Sequence, residues 1–194
     1  MKNSIYILVL GVLIVLGACD SGVVTSGGAE SLDNLPDYAE RVEFDHMPGL
    51  VKATVKFGEK IEQQGEYFDG YRNGSWITYH PNELVKSIST YVSGTMHGTH
   101  LEMDDKGNLT LKAYYVNGIE EGEFIYYNNG VITEKRNYVA GEFQGKRSQY
   151  YDNGKIMEES NWYDGKMHGT AKWYDQDGNV TLEYEYSNGV LLKD

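Results

Sequence analysis

The sequence has little cysteine, proline and positive charge: one Cys, three Pro, and 17 basic against 29 acidic residues. A single cysteine excludes an intramolecular disulfide, and with it the small disulfide-stapled folds. The formal net charge of −12 offers no cationic surface for nucleic acid or for anionic lipid headgroups. No segment after residue 50 has the periodicity of an amphipathic helix, so helical folds are disfavoured for that part of the chain.

Glycine and tyrosine are plentiful instead, at 23 and 17 residues, and they follow a repeat. An aromatic residue followed three positions later by glycine recurs every 23 or 24 residues, and a second glycine lies four positions further on. A third glycine closes the unit, with Glu83 in its place in the first copy. The leading pairs are Tyr67/Gly70, Tyr91/Gly94, Tyr115/Gly118, Tyr138/Gly141, Trp162/Gly165 and Tyr186/Gly189.

Each repeat carries two turn signals, such as Asn117-Gly118 and Asn129-Gly130, separated by segments of strand length. The pattern predicts an all-β fold: an elongated, single-layer antiparallel β-hairpin repeat array over residues 50–194. It holds about five full repeats with flanking half repeats. On strict alternation, the leading aromatic and an aliphatic residue six positions before it share one face. No second layer is available, so each repeat is expected to pack on its neighbours.

The first 19 residues have the layout of a secretory signal, with Lys2 before an apolar run and small residues before Cys19. The apolar run is shorter than a bilayer-spanning helix requires. The ending Leu16-Gly17-Ala18-Cys19 resembles the lipobox of bacterial lipoproteins, which implies a signal peptide over 1–18 and lipidation at Cys19. The acidic segment 19–49 is then expected to be a flexible tether.

The turn from Asp164 to Gly169 (DGKMHG), the leading aromatic and the period resemble the MORN repeat. The longer spacing, Y-x-x-G-x-x-x-G-x(4)-Y-x-x-N-G, resembles its variant form, found in YwqK-type, antitoxin-like bacterial proteins. The resemblance covers about residues 50–190 and implies a binding or scaffold role rather than an enzyme. Some MORN proteins are said to bind phospholipid headgroups, but residues 50–194 hold 22 acidic and 15 basic residues. A membrane contact other than the lipid anchor is therefore not expected.

The sequence offers no arrangement for catalysis, metal binding or cofactor binding. His97 and His168 share a turn position and stand 71 residues apart, so a polar turn role is favoured over metal ligation. The segment Asp175–Asn179 resembles the start of a calcium loop, but its glycine is at the wrong offset and a hairpin turn explains it better. Neighbouring carboxylates such as Glu120 and Glu121 alternate between faces instead of lining one cleft. We expect no enzyme activity and no cofactor.

The functional hypothesis is a lipoprotein of the cell envelope, on the outer membrane if the cell is Gram-negative. It acts as a non-catalytic protein-interaction or scaffold module, with an antitoxin- or immunity-like role among the possibilities. The alternatives are a glycan- or peptidoglycan-binding lipoprotein and a spacer without a specific ligand. The expected partner is a protein or an envelope polymer, and not nucleic acid. Because Tyr and Trp are enriched at binding hot spots, the aromatics outside the leading column form the candidate surface: Trp76, Phe124, Tyr126, Tyr151, Trp173 and Tyr184.

Overall fold

A computed structural model describes residues 29–193, and these residues form one open antiparallel sheet of 17 strands. A single 3₁₀ turn, Leu32–Asn34, is the only helical element in this part of the chain. The all-β hairpin array predicted from the repeat is confirmed. The strands are β1 (Glu40–Glu43), β2 (Leu50–Phe57), β3 (Lys60–Phe68), β4 (Tyr71–Tyr79), β5 (Val85–Val92), β6 (Thr95–Met103), β7 (Leu109–Val116), β8 (Ile119–Glu120), β9 (Gly122–Asn128), β10 (Val131–Val139), β11 (Glu142–Phe143), β12 (Gly145–Tyr150), β13 (Ile156–Tyr163), β14 (Lys166–Met167), β15 (Gly169–Tyr174), β16 (Val180–Ser187) and β17 (Val190–Lys193).

The sheet is a meander, because each strand pairs with those nearest to it in sequence. The two-residue strands β8, β11 and β14 each continue, after one residue, into β9, β12 and β15. The glycine that opens each of these longer strands has a positive φ, for example 74° at Gly122. The second glycine of the repeat therefore marks an irregularity in the strand rather than its end.

The first turn of each repeat is a two-residue hairpin in which both residues have positive φ, as at Asn117 (51°) and Gly118 (77°). This is the turn geometry whose twist matches that of the flanking strands. In four copies the second turn is a three-residue loop that ends in glycine or, in the first copy, in Glu83: for example, the Gly107 N–H donates to Asp104 O at 3.0 Å, and the Asp104 N–H donates to Asn108 O at 2.9 Å. At Asn129-Gly130 the second turn is again a two-residue hairpin, with Asn128 paired to Val131. Both turns occur in the first repeats as well, so the repeat begins before the part with the fullest motif.

One face of the sheet carries the leading aromatics, and we call it the aromatic face. Its residues include the most buried large side chains in the described part of the chain, with Tyr67 and Trp76 only 1% and 2% exposed. Two clusters form there, one around Tyr67 and Trp76 and the other around Tyr115 and Phe124. The side chains bury one another across neighbouring strands, which is how a single-layer sheet acquires a core.

The aliphatic residues six positions before the leading aromatics lie on the opposite face, contrary to the expectation that both share one. Ile132 pairs with Tyr127, whereas Glu134 pairs with Tyr126, so the register shifts by one residue between them. The same shift occurs between Ile61 and Gln63. A bulge of one residue reverses the alternation, and strict counting by twos therefore fails at this point in every repeat.

A flexible tether was expected over residues 19–49, but from residue 29 onward the chain contacts the sheet. Ser31 bridges to Tyr71, and β1 pairs with β2 as an edge strand. Leu35 is 7% exposed and belongs to the cluster that contains Tyr67 and Trp76. The segment is acidic, yet its leucines supply enough apolar surface to dock it against the aromatic face.

The signal peptide predicted at 1–18 and the lipidation site Cys19 lie outside the described residues. Within residues 29–193, no helix is long and apolar enough to cross a membrane.

Candidate functional site

A continuous row of rings runs along the aromatic face across five strands. The ring centroids of Tyr115 and Phe124 are 5.6 Å apart, and those of Phe124 and Tyr138 are 4.6 Å apart. Phe143 then lies 5.7 Å from Tyr138 and stacks on Trp162 at 4.6 Å. These contacts are in the range of favourable aromatic pairs. The row stabilises the array, and its half-buried rings Tyr138, Phe143 and Trp162 also present an apolar surface.

Two of the six candidate aromatics, Trp76 and Phe124, lie inside this core. Each is 2% exposed. Trp76 donates its indole N–H to Glu66 O at 3.0 Å, and its ring stands edge-on to Tyr67 at 5.1 Å. Their burial leaves almost no surface for a partner, and the surface described below does not include them.

The other four candidates are half-buried and lie toward the C-terminal part of the array. Trp173 and Tyr184 pack edge to face with centroids 5.6 Å apart. The Arg136 guanidinium lies 4.8 Å above the Tyr126 ring. Tyr151 lies in a turn, donates its hydroxyl to Tyr174 O at 2.6 Å, and lines a shallow hollow of about 360 Å³.

Tyr126 and Trp173 stand at the two ends of a polar row that crosses the aromatic face. In pairing register the row runs Tyr126, Glu134, Gln149, Glu158, Trp173. Four strand spacings of roughly 4.8 Å separate its ends by about 19 Å. Leu182, the next member, is 48% exposed. The arrangement is a strip of hydrogen-bonding groups between two aromatic side chains.

Two arginines neutralise the carboxylates of this row. Arg136 donates to both oxygens of Glu134, at 2.8 and 3.1 Å, and Arg147 bridges Glu134 and Glu158. Gln149, in the orientation that satisfies its amide, accepts from Arg147 at 2.6 Å and donates to Glu158 at 3.2 Å. The network carries two positive and two negative charges, so its net charge is zero.

Burial and hydrogen bonding act in opposite directions on the acidic groups here. Burial raises the pKa of Glu134, but the hydrogen bonds and charges of Arg136 and Arg147 lower it more, so the net shift is downward. Burial raises the pKa of the Tyr126 hydroxyl to about 12. It also raises the pKa of Glu120, where the one compensating charge is Arg136.

The opposite face is solvated and carries ion pairs between neighbouring strands. Lys172 and Glu183 are 3.1 Å apart, and Lys135 and Glu123 are 3.6 Å apart. Exposed pairs of this kind contribute little to stability. Tyr114 and Tyr163, 43% and 57% exposed, also point to this side because each neighbours a leading aromatic in its strand.

Backbone hydrogen bonds connect neighbouring turns into a row at one end of the strands. At five of these turns, those of Gly94, Gly118, Gly141, Gly165 and Gly189, the glycine N–H donates to a carbonyl of the preceding repeat. Examples are the bonds from Gly118 to Met96 (2.7 Å) and from Gly165 to Phe143 (3.1 Å). At the first turns, the N-terminal segment joins this row. Glu30 donates to Gly94 O and accepts from the Arg72 N–H, both at 2.9 Å, and Leu32 donates to Gly70 O at 2.7 Å.

This docked segment is a structural feature that was not predicted from the sequence. Its carboxylate Glu30 lies 3.4 Å from the Arg72 guanidinium, which itself stacks 4.0 Å from the Trp76 ring. A signal was present: Leu32 and Leu35 stand in a stretch otherwise read as polar. The Ser/Gly-rich start of the stretch and its acidity nevertheless favoured the prediction of a flexible tether.

No group of three or more His, Cys, Asp or Glu side chains suited to a metal ion occurs within residues 29–193. His97 lies in β6, three residues after the turn glycine Gly94, with its Nδ1 3.3 Å from Asn117 Oδ1. The Asp175 carboxylate accepts the Asp177 and Asn179 N–H groups at 2.9 Å, so the segment forms the hairpin turn predicted for it. The Asn179 side-chain amide also donates to this carboxylate at 3.0 Å, and its bond, together with the backbone bonds, lowers the pKa of Asp175.

Three stretches of the chain, residues 120–140, 143–162 and 167–191, match the family model described as MORN repeat variant. They cover β8 to β17, the part with the fullest motif. Repeats of this class indicate a module that interacts with proteins or membranes. No curated protein matches the chain.

Proposed function

We propose that the protein is a membrane-anchored lipoprotein of the cell envelope, and that its array is a non-catalytic protein-interaction or scaffold module. The observation that carries the proposal is the group of half-buried aromatic side chains Tyr126, Tyr151, Trp173 and Tyr184. It lies within the stretch that matches the MORN repeat variant. Aromatic side chains with an apolar body and a polar tip are typical of binding hot spots.

The anchor in this proposal is the lipid on Cys19, which would hold the array at the outer membrane in a Gram-negative cell. Cys19→Ala should abolish incorporation of labelled palmitate and release the protein from the membrane fraction. Ser21→Ala is a matched control that leaves the cysteine intact. Labelling that persists in Cys19→Ala would contradict the anchor.

An antitoxin- or immunity-like role is the finer form of the proposal, resting on the resemblance to YwqK-type proteins. It predicts that the array neutralises a toxin by direct contact. Co-expression with a candidate toxin encoded beside this gene tests the role. Protection that survives Ser at Tyr126, Tyr151, Trp173 and Tyr184 would contradict a contact through this surface.

The interaction proposal is tested by replacing those four aromatics together with serine. Circular dichroism first establishes that the variant keeps its β structure. Chemical crosslinking in intact cells is then expected to lose its partner adducts. A control with Ser at Tyr114 and Tyr163, on the opposite face, should keep them. Equal adducts in both variants would show that the partner does not bind through these four aromatics.

Binding of a glycan or peptidoglycan strand is the second candidate, and the polar row from Tyr126 to Trp173 favours it. Sugar rings stack on aromatic side chains, and their hydroxyls pair with groups such as Glu134, Gln149 and Arg147. The zero net charge of the network suits a neutral polymer. A pull-down on purified cell-wall polymers, with Trp173→Ala as the variant, separates this function from protein binding.

A further inference from the structure

We propose that the turn row around Phe143 and Gly165 is a docking site for an extended segment of a partner protein. The inference rests on the proposed interaction function and specifies where and how the partner is held. The partner segment would add to the row as the chain's own residues 30–35 do at the first turns.

The N-terminal segment shows what the turn row can bind. Glu30 makes two backbone bonds, to the Arg72 N–H and to Gly94 O, and Leu32 adds a third to Gly70 O. Three residues further along, Leu35 is buried against Tyr67 and its neighbours. An extended peptide is thus held by main-chain bonds to the turns and by one aliphatic side chain on the aromatic face, which combines the features of strand addition.

The same backbone geometry recurs 71 residues further along the chain. Phe143 stands at the position of Arg72, and Gly165 stands at that of Gly94. Phe143 O accepts from the Gly165 N–H at 3.1 Å, just as Arg72 O accepts from the Gly94 N–H at 2.8 Å. Within residues 29–193, a segment equivalent to Glu30 lies only at the earlier position.

The Phe143 N–H is directed toward the proposed segment. Phe143 pairs with Tyr138, and this pair is the next one in the ladder after Val139 and Glu142, the pair that closes the hairpin. Hydrogen-bonded and non-hydrogen-bonded pairs alternate in an antiparallel ladder, so the polar groups of Phe143 point away from Tyr138. Its carbonyl accepts from the next turn, at Gly165, and its N–H is equivalent to the Arg72 N–H that donates to Glu30.

The side chain of Phe143 selects a different partner residue from the one that Arg72 selects. Arg72 pairs with the Glu30 carboxylate, whereas Phe143 offers an apolar ring that stacks on Trp162 at 4.6 Å. The partner should therefore carry an apolar residue where the chain has Glu30. An aliphatic residue five positions later would rest on the half-buried rings of Tyr138, Phe143 and Trp162.

The test uses the full chain in detergent and a synthetic peptide with the sequence of residues 29–39 carrying Glu30→Leu. Amide exchange by NMR reports each backbone position. At about 90% occupancy, exchange at the Phe143 amide should slow about tenfold, because only the free fraction exchanges. The Arg72 amide, already bonded to Glu30, should not change. A peptide that also carries Leu35→Ser should bind at least about tenfold more weakly, since its anchor is lost.

Unchanged exchange at Phe143 with the peptide bound would overturn the proposal. A change at Arg72 instead would also overturn it, because the peptide would then merely displace the N-terminal segment. If a partner crosslinks at Trp173 while exchange at Phe143 is unaffected, the docking site is wrong and the proposed function stands. If exchange at the Phe143 amide slows but no partner crosslinks at Trp173, the docking site stands and the proposed function is wrong.

Discussion

The Trp76 ring covers the α-carbon of Gly65 so closely that a methyl group there would lie 2.6 Å from Trp76 Cγ. In the next repeats the same two positions hold Ser89 with His100, hydrogen-bonded at 2.8 Å, and Ala113 with Phe124. A large ring in one strand is thus matched by a small residue in its neighbour, and this is how the aromatic face closes without a second layer.

Gly65→Ala should destabilise the protein by about 1–3 kcal/mol, because the rigid indole cannot yield without moving the sheet. Chemical denaturation followed by tryptophan fluorescence measures the change. Trp76→Phe in the same chain should recover part of the loss, since the smaller ring leaves room. A Gly65→Ala variant as stable as the parent would mean that the covering contact is not tight.

Glu83→Gly should stabilise the first repeat by about 0.5–1 kcal/mol. Glu83 has a φ of 70°, in the left-handed region that costs a side-chain-bearing residue about 1–2 kcal/mol. Its counterparts Gly107, Gly154 and Gly178 have φ of 86°, 79° and 96°. The greater freedom of glycine in the unfolded chain offsets part of the gain. Thermal melting measures it, with Gly154→Ala as a control that should be destabilised.

Leu35→Ala should release the N-terminal segment without unfolding the array. Deleting a buried leucine side chain costs about 2 kcal/mol or more, which raises the opening equilibrium about 30-fold. Hydrogen exchange at the Arg72 amide, which donates to Glu30, reports that opening. Tyr38→Ala is the matched control, since Tyr38 is 68% exposed. Unaltered protection of Arg72 in Leu35→Ala would show that the leucine does not hold the segment.

Glu134 should make stability depend on pH in the acid range. Its folded pKa lies below its usual value of 4.5, because Arg136 and Arg147 outweigh its burial. Its contribution is therefore present above about pH 4.5 and is lost as the pH falls through the folded pKa. The melting temperature of Glu134→Gln should lie below that of the parent at neutral pH, and the difference should shrink below about pH 4.5. A difference that stays constant into acid would contradict the ion network.

The fold followed from the sequence because its determinants are local. Asn117-Gly118 and the equivalent pairs specify hairpin turns by their own φ preferences, and repetition fixes the order of the strands. The bulge between Ile132 and Glu134 could not be anticipated, since no residue type marks it and one added residue reverses the faces. The sequence predicted the repeat but placed its aliphatic column on the wrong side.

The candidate site was predictable only in part for a related reason. Choosing aromatics outside the leading column led to Tyr126, Trp173 and Tyr184, which are half-buried, but also to Trp76 and Phe124, which are fully buried. Exposure depends on what lies in the neighbouring strand, such as Gly65 under Trp76. The docked segment around Leu35 depends on contacts distant in sequence, which a periodic pattern does not reveal.

The central claim, that the aromatic face of the C-terminal repeats binds a partner, is tested most directly by site-specific photocrosslinking in intact cells. A photoreactive phenylalanine is placed at Trp173 on the aromatic face and, in a second strain, at Tyr163 on the opposite face. We expect a discrete adduct from position 173 and none from 163. Equal adducts from both faces, or none from position 173 in a correctly folded protein, would contradict the central claim.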